Sequence, residues 1–139
     1  MTVGEASAWL YWWYQASGDN EGLIISTSSL TKRAYTLGNY AKFVRPGYVM
    51  VDITGNSNAS LLLSAFKNTD GTVVVVAVNK GSAAATVPIT ISGGTAPTMC
   101  TPNVTSSSAN LTAGTPVTVT GGTFSASLAA TTVTSFVCK

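Results

Sequence analysis

The chain of 139 residues has room for one domain of ordinary size. Its formal net charge is only +2, which excludes the basic patch of a nucleic-acid-binding protein. No apolar run reaches the roughly 18–20 residues that cross a bilayer. Histidine is absent, which excludes Ser-His-Asp and Cys-His catalysis and histidine metal sites. The composition therefore predicts no cofactor, no metal, no nucleic acid and no membrane partner.

The first patterned segment, residues 8–15, is unusually aromatic. Its alternating positions are apolar on both sets: Trp9, Tyr11 and Trp13 on one, and Leu10, Trp12 and Tyr14 on the other. A strand with two apolar faces is normally buried on both, so the pattern predicts a buried strand. Residues 16–29 follow as a loop, with a short extended piece at residues 23–25.

A helix is predicted next, over residues 30–44. Leu37, Tyr40, Ala41 and Val44 fall at i, i+3, i+4 and i+7 and form one apolar face. Lys32, Arg33, Asn39 and Lys42 lie largely off this stripe. Pro46 and Gly47 then end the helix and permit a sharp reversal.

After Gly47 the period changes to that of β-strands, with turn signals at regular intervals. Asp70-Gly71 is a good hairpin turn, residues 73–78 are apolar throughout and predict a central strand, and the Pro-rich stretch at 96–102 is interpreted as a linker. Candidate strands are residues 48–53, 61–66, 72–78, 85–91, 116–120, 124–128 and 132–137. The fold class is therefore mainly β, an antiparallel β-sandwich.

Residues 37–48, which read LGNYAKFVRPGY and are followed by Val51-Asp52, resemble the C-terminal region of family 30 glycoside hydrolases, which include secreted glucuronoxylanases. The resemblance implies that residues 7–14 are the eighth strand of a (β/α)8 barrel and that 64–79 form the first sandwich hairpin. Residues 131–137 resemble the closing strand. The expected domains are a barrel remnant of strand, loop and helix at 1–46 and a β-sandwich side domain at 47–139.

Hydrolysis of a glycosidic bond needs two carboxyl groups at a set separation. The five acids, Glu5, Asp19, Glu21, Asp52 and Asp70, offer no recognisable pair. By resemblance both catalytic glutamates lie upstream of Met1, so we expect no hydrolysis by this chain alone. Asp19 and Glu21 lie in the loop after the aromatic segment, where they either orient a sugar hydroxyl or are simply solvated.

The substrate-binding candidates are Trp12, Trp13 and Tyr14. In a (β/α)8 barrel the C-terminal end of each strand faces the active site, and aromatic rings stack on sugars, so the resemblance implies a sugar subsite. The alternative is that these rings fill a core. The loop at residues 16–22 contains no Arg to hold a glucuronate branch. A neutral β-glycan is therefore at least as strong a candidate for the substrate of the parent enzyme as glucuronoxylan.

Residues 81–138 contain no Asp, Glu, Lys or Arg and are rich in Thr, Ser, Ala and Gly. Such a surface suits an extracellular protein that handles neutral sugars, although an ordinary Thr-rich sandwich would look the same. Cys100 and Cys138 are predicted to form a disulfide in an oxidising compartment, with two separate buried thiols as the alternative.

The function expected is that of a non-catalytic C-terminal β-sandwich portion of a secreted xylanase or related β-glycanase, which supports the barrel and binds polysaccharide. A stand-alone carbohydrate-binding module is the alternative, and an adhesion sandwich is a third. The aromatic segment needs a cover, which we expect from folding back on the sandwich or from a second copy of the chain. In the family an N-terminal segment adds to the side domain, so without it a sheet edge should lie open or be repaired.

Overall fold

A computed structural model describes residues 10–16, 21–25 and 29–139. Most of this chain is antiparallel β-structure with one helix. The elements are β1 (Gln15–Ala16), β2 (Ile24–Ile25), β3 (Ser29–Leu30), α1 (Lys32–Ala41), β4 (Val49–Val51), β5 (Leu61–Lys67), β6 (Val73–Asn79), β7 (Ala85–Thr90), β8 (Met99–Thr105), β9 (Thr112–Ala113), β10 (Val117–Thr118), β11 (Thr123–Leu128) and β12 (Thr132–Cys138).

The main sheet has the order β10-β8-β12-β6-β5-β4, with β9 also paired to β8. A second layer, the antiparallel pair β11-β7, packs on one of its faces. The core between the layers includes Val75, Phe124 and Phe136, and the two phenylalanine rings lie 5.2 Å apart. The mainly β antiparallel sandwich predicted from the sequence is confirmed.

Strand β6 is central, as its continuous apolar run predicts, because it lies between β12 and β5. Val73, Val75 and Ala77 face the second layer, while Val74 and Val76 belong to a separate cluster that contacts α1 and the segment after it. Both faces of β6 are thus shielded from water, and burial of each fully buried valine contributes about 1.5–3 kcal/mol to the stability of the fold.

The predicted β5–β6 hairpin is present. All seven residues of β5 pair with β6, and Gly71 closes the turn at φ 88°, where glycine carries no steric penalty. The Thr72 amide donates to the Asp70 carboxylate at 2.8 Å. This backbone hydrogen bond lowers the pKa of Asp70 below its ordinary value.

Helix α1 is shorter than predicted, and its buried face differs from the predicted stripe. The Thr31 side chain caps the N-terminus by accepting from the Ala34 amide at 3.3 Å. Ala41, expected on the buried stripe, is exposed, whereas Asn39, expected off it, is fully buried. The reason is that α1 meets hydroxyl groups of β8 and β12, which an asparagine amide satisfies and an alanine methyl does not.

Strand β8 corrects the interpretation of residues 96–102 as a linker, because Met99–Thr105 pairs with β12. Proline normally interrupts a sheet. The Gly114 amide donates to the Pro102 carbonyl at 2.8 Å, so the backbone polar groups of Pro102 point away from β12. Pro102 therefore removes no hydrogen bond from the β8–β12 ladder.

Several strands pair on one side only within the described part of the chain, and β4 and β7 are two of these edges. Strand β4 pairs only with β5, and Val49 is 67% exposed. Strand β7 pairs only with β11, and a groove of about 590 Å³ separates β7 from the inner face of β5. The Ile91 amide donates to the Gly122 carbonyl, so it points toward β11. Because the direction of the backbone nitrogen alternates along a strand, the nitrogen of Pro88 faces the open edge of β7, where proline offers no hydrogen-bond donor.

Candidate carbohydrate-binding site

The three predicted sugar-contacting residues do not lie on a regular strand. Residues 10–14 are irregular, and strand structure begins only at β1. The predicted strand at residues 8–15 is therefore wrong for residues 10–14, whereas Gln15 does lie in β1, and residues 8 and 9 lie outside the described residues. A barrel strand is held by a neighbour on each side, whereas β1 pairs only with the two-residue β2.

The consecutive residues Trp12, Trp13 and Tyr14 have exposed rings, and we call these three residues the aromatic platform. Trp12 and Trp13 stack with their centroids 6.3 Å apart and their planes 21° from parallel. Trp12 is 76% exposed, Tyr14 71% and Trp13 42%. Trp13 has φ 68°, a conformation that is costly for a bulky residue and that often marks functional positions.

Backbone hydrogen bonds fix this aromatic platform to the chain that follows it. The Leu23 amide donates to the Trp13 carbonyl at 3.2 Å, and the Ile24 amide donates to the Tyr14 carbonyl at 3.0 Å. The Thr31 hydroxyl in turn donates to the Leu23 carbonyl at 3.1 Å. Because Thr31 also caps α1, the platform is connected to the start of the helix by a continuous set of hydrogen bonds.

Helix α1 is anchored to the main sheet by a buried polar cluster that sequence patterning missed. The Asn39 side-chain amide donates to the Thr105 hydroxyl at 2.8 Å and to the Tyr35 carbonyl at 3.1 Å. The Ser135 hydroxyl lies 2.9 Å from Asn39 Oδ1 and 2.7 Å from its carbonyl oxygen. The only available signal was the Tyr35/Asn39 pair at i and i+4, which is too common to identify such a cluster.

A second set of contacts holds the same helix against a loop of the sandwich. Lys32 Nζ donates to the Ala109 carbonyl at 3.0 Å and also to Asn110 Oδ1. Leu111 lies against Gly38 so closely that a Cβ atom there would fall 2.6 Å from its methyl group. The helix is therefore held at both its N-terminal turn and its middle.

The expectation that the aromatic segment folds back on the sandwich is wrong, because Leu10, Trp12 and Tyr14 remain largely exposed in the single chain. A second copy of the chain as the cover stays a prediction. Of the two loop acids, Glu21 is exposed and its carbonyl accepts from the Tyr11 hydroxyl at 2.9 Å. Asp19, like Glu5, lies outside the described residues.

Cys100 and Cys138 form the predicted disulfide. They are directly opposite each other on β8 and β12, with Cα atoms 4.0 Å apart, and both are fully buried. Across residues 10–16, 21–25 and 29–139, no three His, Cys, Asp or Glu side chains cluster as metal ligands, and no helix is long and apolar enough to cross a bilayer.

Known proteins share this architecture. The chain is 39% identical over 137 residues to glucuronoxylanase XynC of Bacillus subtilis strain 168, covering 99% of this chain and 31% of that enzyme. A crystallised GH30 endoxylanase from Clostridium papyrosolvens C71 superposes with a TM-score of 0.81 at 37% identity, over 94% of this chain and 32% of that protein. The GH30 subfamily 8 xylanase Xyn30A of Clostridium acetobutylicum superposes with a TM-score of 0.80 at 30% identity, over 88% of this chain and 32% of that protein.

A β-sandwich with one attached helix, aligned to about a third of these enzymes, defines an accessory domain of a glycoside hydrolase. The model of the glycosyl hydrolase family 30 beta sandwich domain matches residues 47–136. The chain belongs to this family.

Proposed function

We propose that the chain is the non-catalytic C-terminal sandwich of a secreted xylanase or related β-glycanase, and that it supports the catalytic barrel while presenting an aromatic surface to polysaccharide. The observation that supports this most directly is the exposed platform of Trp12, Trp13 and Tyr14, joined through α1 to a sandwich of glycoside hydrolase type. We also propose that the chain divides into a barrel remnant at residues 1–46 and the β-sandwich side domain at residues 47–139.

The platform suits a neutral sugar. Stacked aromatic faces bind the C–H faces of pyranose rings, and large exposed rings are unfavourable in water unless a partner covers them. Xylan is the first candidate substrate because the similar enzymes are named xylanases. Other neutral β-glycans fit the same stacking chemistry, since the platform itself contains no charged side chain.

The rest of the enzyme is the proposed partner. The open edges of β4 and β7 and the groove between β7 and β5 leave apolar surface that further chain would cover. Secretion is supported by the buried disulfide, because disulfides persist mainly in oxidising compartments. The supporting role would then consist of holding α1, through Asn39, in one orientation relative to the barrel.

The purified chain is expected to release no reducing sugar from xylan or from other β-glycans. Glycoside hydrolysis needs an acid and a base or nucleophile about 5–9.5 Å apart. Three acids, Glu21, Asp52 and Asp70, lie in the described residues, and they occupy an exposed loop, the segment after β4 and a hairpin turn. A reducing-end assay tests this, and turnover comparable to that of an intact xylanase would overturn the proposal.

Binding is tested separately by affinity electrophoresis on xylan, β-glucan and chitin. We expect retardation on at least one polymer, with the dissociation constant raised at least about fivefold by Trp12→Ala or Trp13→Ala, taking as the scale the roughly 1–3 kcal/mol that one aromatic ring contributes when it stacks on a nucleic-acid base. Leu62→Ala, which removes an exposed side chain of β5, is the matched control and should bind normally. Retardation that is lost in Trp12→Ala or Trp13→Ala supports binding through the platform, either in this domain or in a stand-alone carbohydrate-binding module, whereas no retardation on any polymer supports a purely supporting role. Equal binding by all variants would contradict the assignment of the platform.

A further inference from the structure

The outer face of the second layer carries a small array of hydroxyl groups. Strands β7 and β11 alternate, so that Val87, Ile89, Phe124, Ala126 and Leu128 point into the core and the intervening residues point outward. The outward residues pair in three rows across the strands: Thr86 with Ser127, Pro88 with Ser125, and Thr90 with Thr123. We call these six residues the hydroxyl face.

This face carries no charged side chain, which is unusual for an exposed pair of strands. Exposed strands and edges normally carry Lys or Glu, which keep the sheet soluble and prevent pairing with other chains. Here the whole stretch from residue 81 to residue 138 lacks them. Five of the six side chains are exposed, namely four that carry a hydroxyl group and one proline. The sixth, Thr123, is half-buried.

The hydroxyl groups are regularly spaced and chemically suited to a polyol. Paired rows of a sheet repeat about 4.8 Å across the strands and about 7 Å along them. A hydroxyl both donates and accepts hydrogen bonds, as sugar hydroxyls do. The Thr90 and Thr123 hydroxyls already lie 2.9 Å apart, so the end of the array is held in a fixed arrangement.

We infer that the hydroxyl face is a second contact surface for a neutral polysaccharide, separate from the aromatic platform. The inference rests on the proposed function, since it names a further site on the same domain for the same class of polymer. A charged polymer is disfavoured, because no charged side chain on this face would compensate for its desolvation.

The position of the face limits the ligand to a long chain or an insoluble surface. The hydroxyl face looks outward from one side of the main sheet, and α1, which adjoins the aromatic platform, packs on the other side. A short oligosaccharide therefore cannot touch both. A polymer that contacts both gains from an increased effective concentration at the second site.

The experiment is a pull-down of the whole chain on insoluble, neutral xylan, with the partition coefficient as readout. The double variant Ser125→Asp/Ser127→Asp is expected to lower that coefficient at least about fivefold. Ser125→Ala/Ser127→Ala is expected to lower it about twofold, because it removes the hydroxyls and adds no charge. Thr112→Asp/Thr118→Asp adds the same charge to exposed positions of β9 and β10 in the other layer and is expected to bind like the unchanged chain.

Three outcomes overturn the inference. If the Asp variant binds like the unchanged chain while Trp12→Ala loses binding, the platform alone holds the polymer and the proposed function stands. If the unchanged chain binds no polymer, the face has no such ligand, and only the supporting role remains. If light scattering shows that the Asp variant changes the oligomeric state and not the partition, the face joins two copies of the chain. Thermal unfolding of each variant establishes that it is folded.

Discussion

Replacing both cysteines by alanine is expected to lower the free energy of unfolding by about 4 kcal/mol. Cys100 and Cys138 are separated by 38 positions, and closing a loop of that length removes about this much conformational entropy from the unfolded chain. The bond also joins the start of β8 to the end of β12, so its loss leaves the C-terminal end of β12 free to fray. The expected fall in the thermal midpoint is on the order of 10 °C.

The control is the unsubstituted chain with its disulfide reduced, because it loses the covalent bond and keeps both cysteine side chains. Its difference from the oxidised chain in urea unfolding gives the effect of the cross-link, and its difference from Cys100→Ala/Cys138→Ala gives the effect of side-chain volume. Both cysteines are fully buried, so reductant is expected to act only under conditions that unfold the chain. Coincident unfolding curves for the oxidised and reduced forms would contradict the prediction.

An element of the fold was predictable where a single strong sequence pattern indicated its type and its place. The Asp70-Gly71 turn between two strand-like runs identified the β5–β6 hairpin, and the uninterrupted apolar run identified β6 as central. These features depend on contacts close in the sequence, or on burial of both faces of a strand, and both leave a signal in the residues themselves. The disulfide was predictable because the chain holds only two cysteines.

The misses have a common physical cause, which is that the neighbouring strand, and not the segment itself, decided the structure. Met99–Thr105 contains a proline and no clear alternation, yet it becomes β8 because β12 offers a ladder that Pro102 does not interrupt. Residues 10–14 have strand-like composition, yet they are irregular because a two-residue strand is their neighbour. Periodicity describes one segment at a time and does not report which neighbours are present.

The candidate site was likewise predictable from the sequence only in part. The residue types of the aromatic platform pointed to sugar stacking, whereas its exposure and its attachment to α1 required the structure. The sequence predicted an uncharged surface rich in Thr and Ser, but it did not predict the hydroxyl face. It depends on the register between β7 and β11, which are more than thirty residues apart.

The second large effect is expected from Asn39→Asp, which keeps the shape of the side chain and changes its chemistry. Asn39 is fully buried, and its amide donates to the Tyr35 carbonyl and the Thr105 hydroxyl. A carboxylate has no such donors, so although Ser135 still donates to one of its oxygens, the other would face the Tyr35 carbonyl and the charge would have no counter-ion. We expect a loss of at least about 3 kcal/mol in the free energy of unfolding at pH 7, as for other uncompensated buried charges.

The pH dependence of this variant gives the sharper test. Burial is expected to raise the pKa of the new carboxyl above its unfolded value of about 3.9, so folding favours the protonated form. Its stability should therefore be highest below about pH 4 and should fall by up to about 1.4 kcal/mol per pH unit, until the pH passes the folded pKa. Urea unfolding followed by circular dichroism between pH 3 and 8 measures this slope.

Asn58→Asp is the matched control, because the exposed Asn58 accepts from the Ser60 amide through its oxygen, a role that a carboxylate also fills. The difference between the two variants removes the titration of every other acid in the chain. Equal stability of the two variants at pH 7, or a difference that does not change with pH, would show that Asn39 does not anchor the helix. A confirmed loss would mean that Asn39 contributes strongly to holding α1 on the sandwich, and with α1 the hydrogen bonds through Thr31 that lead to the aromatic platform.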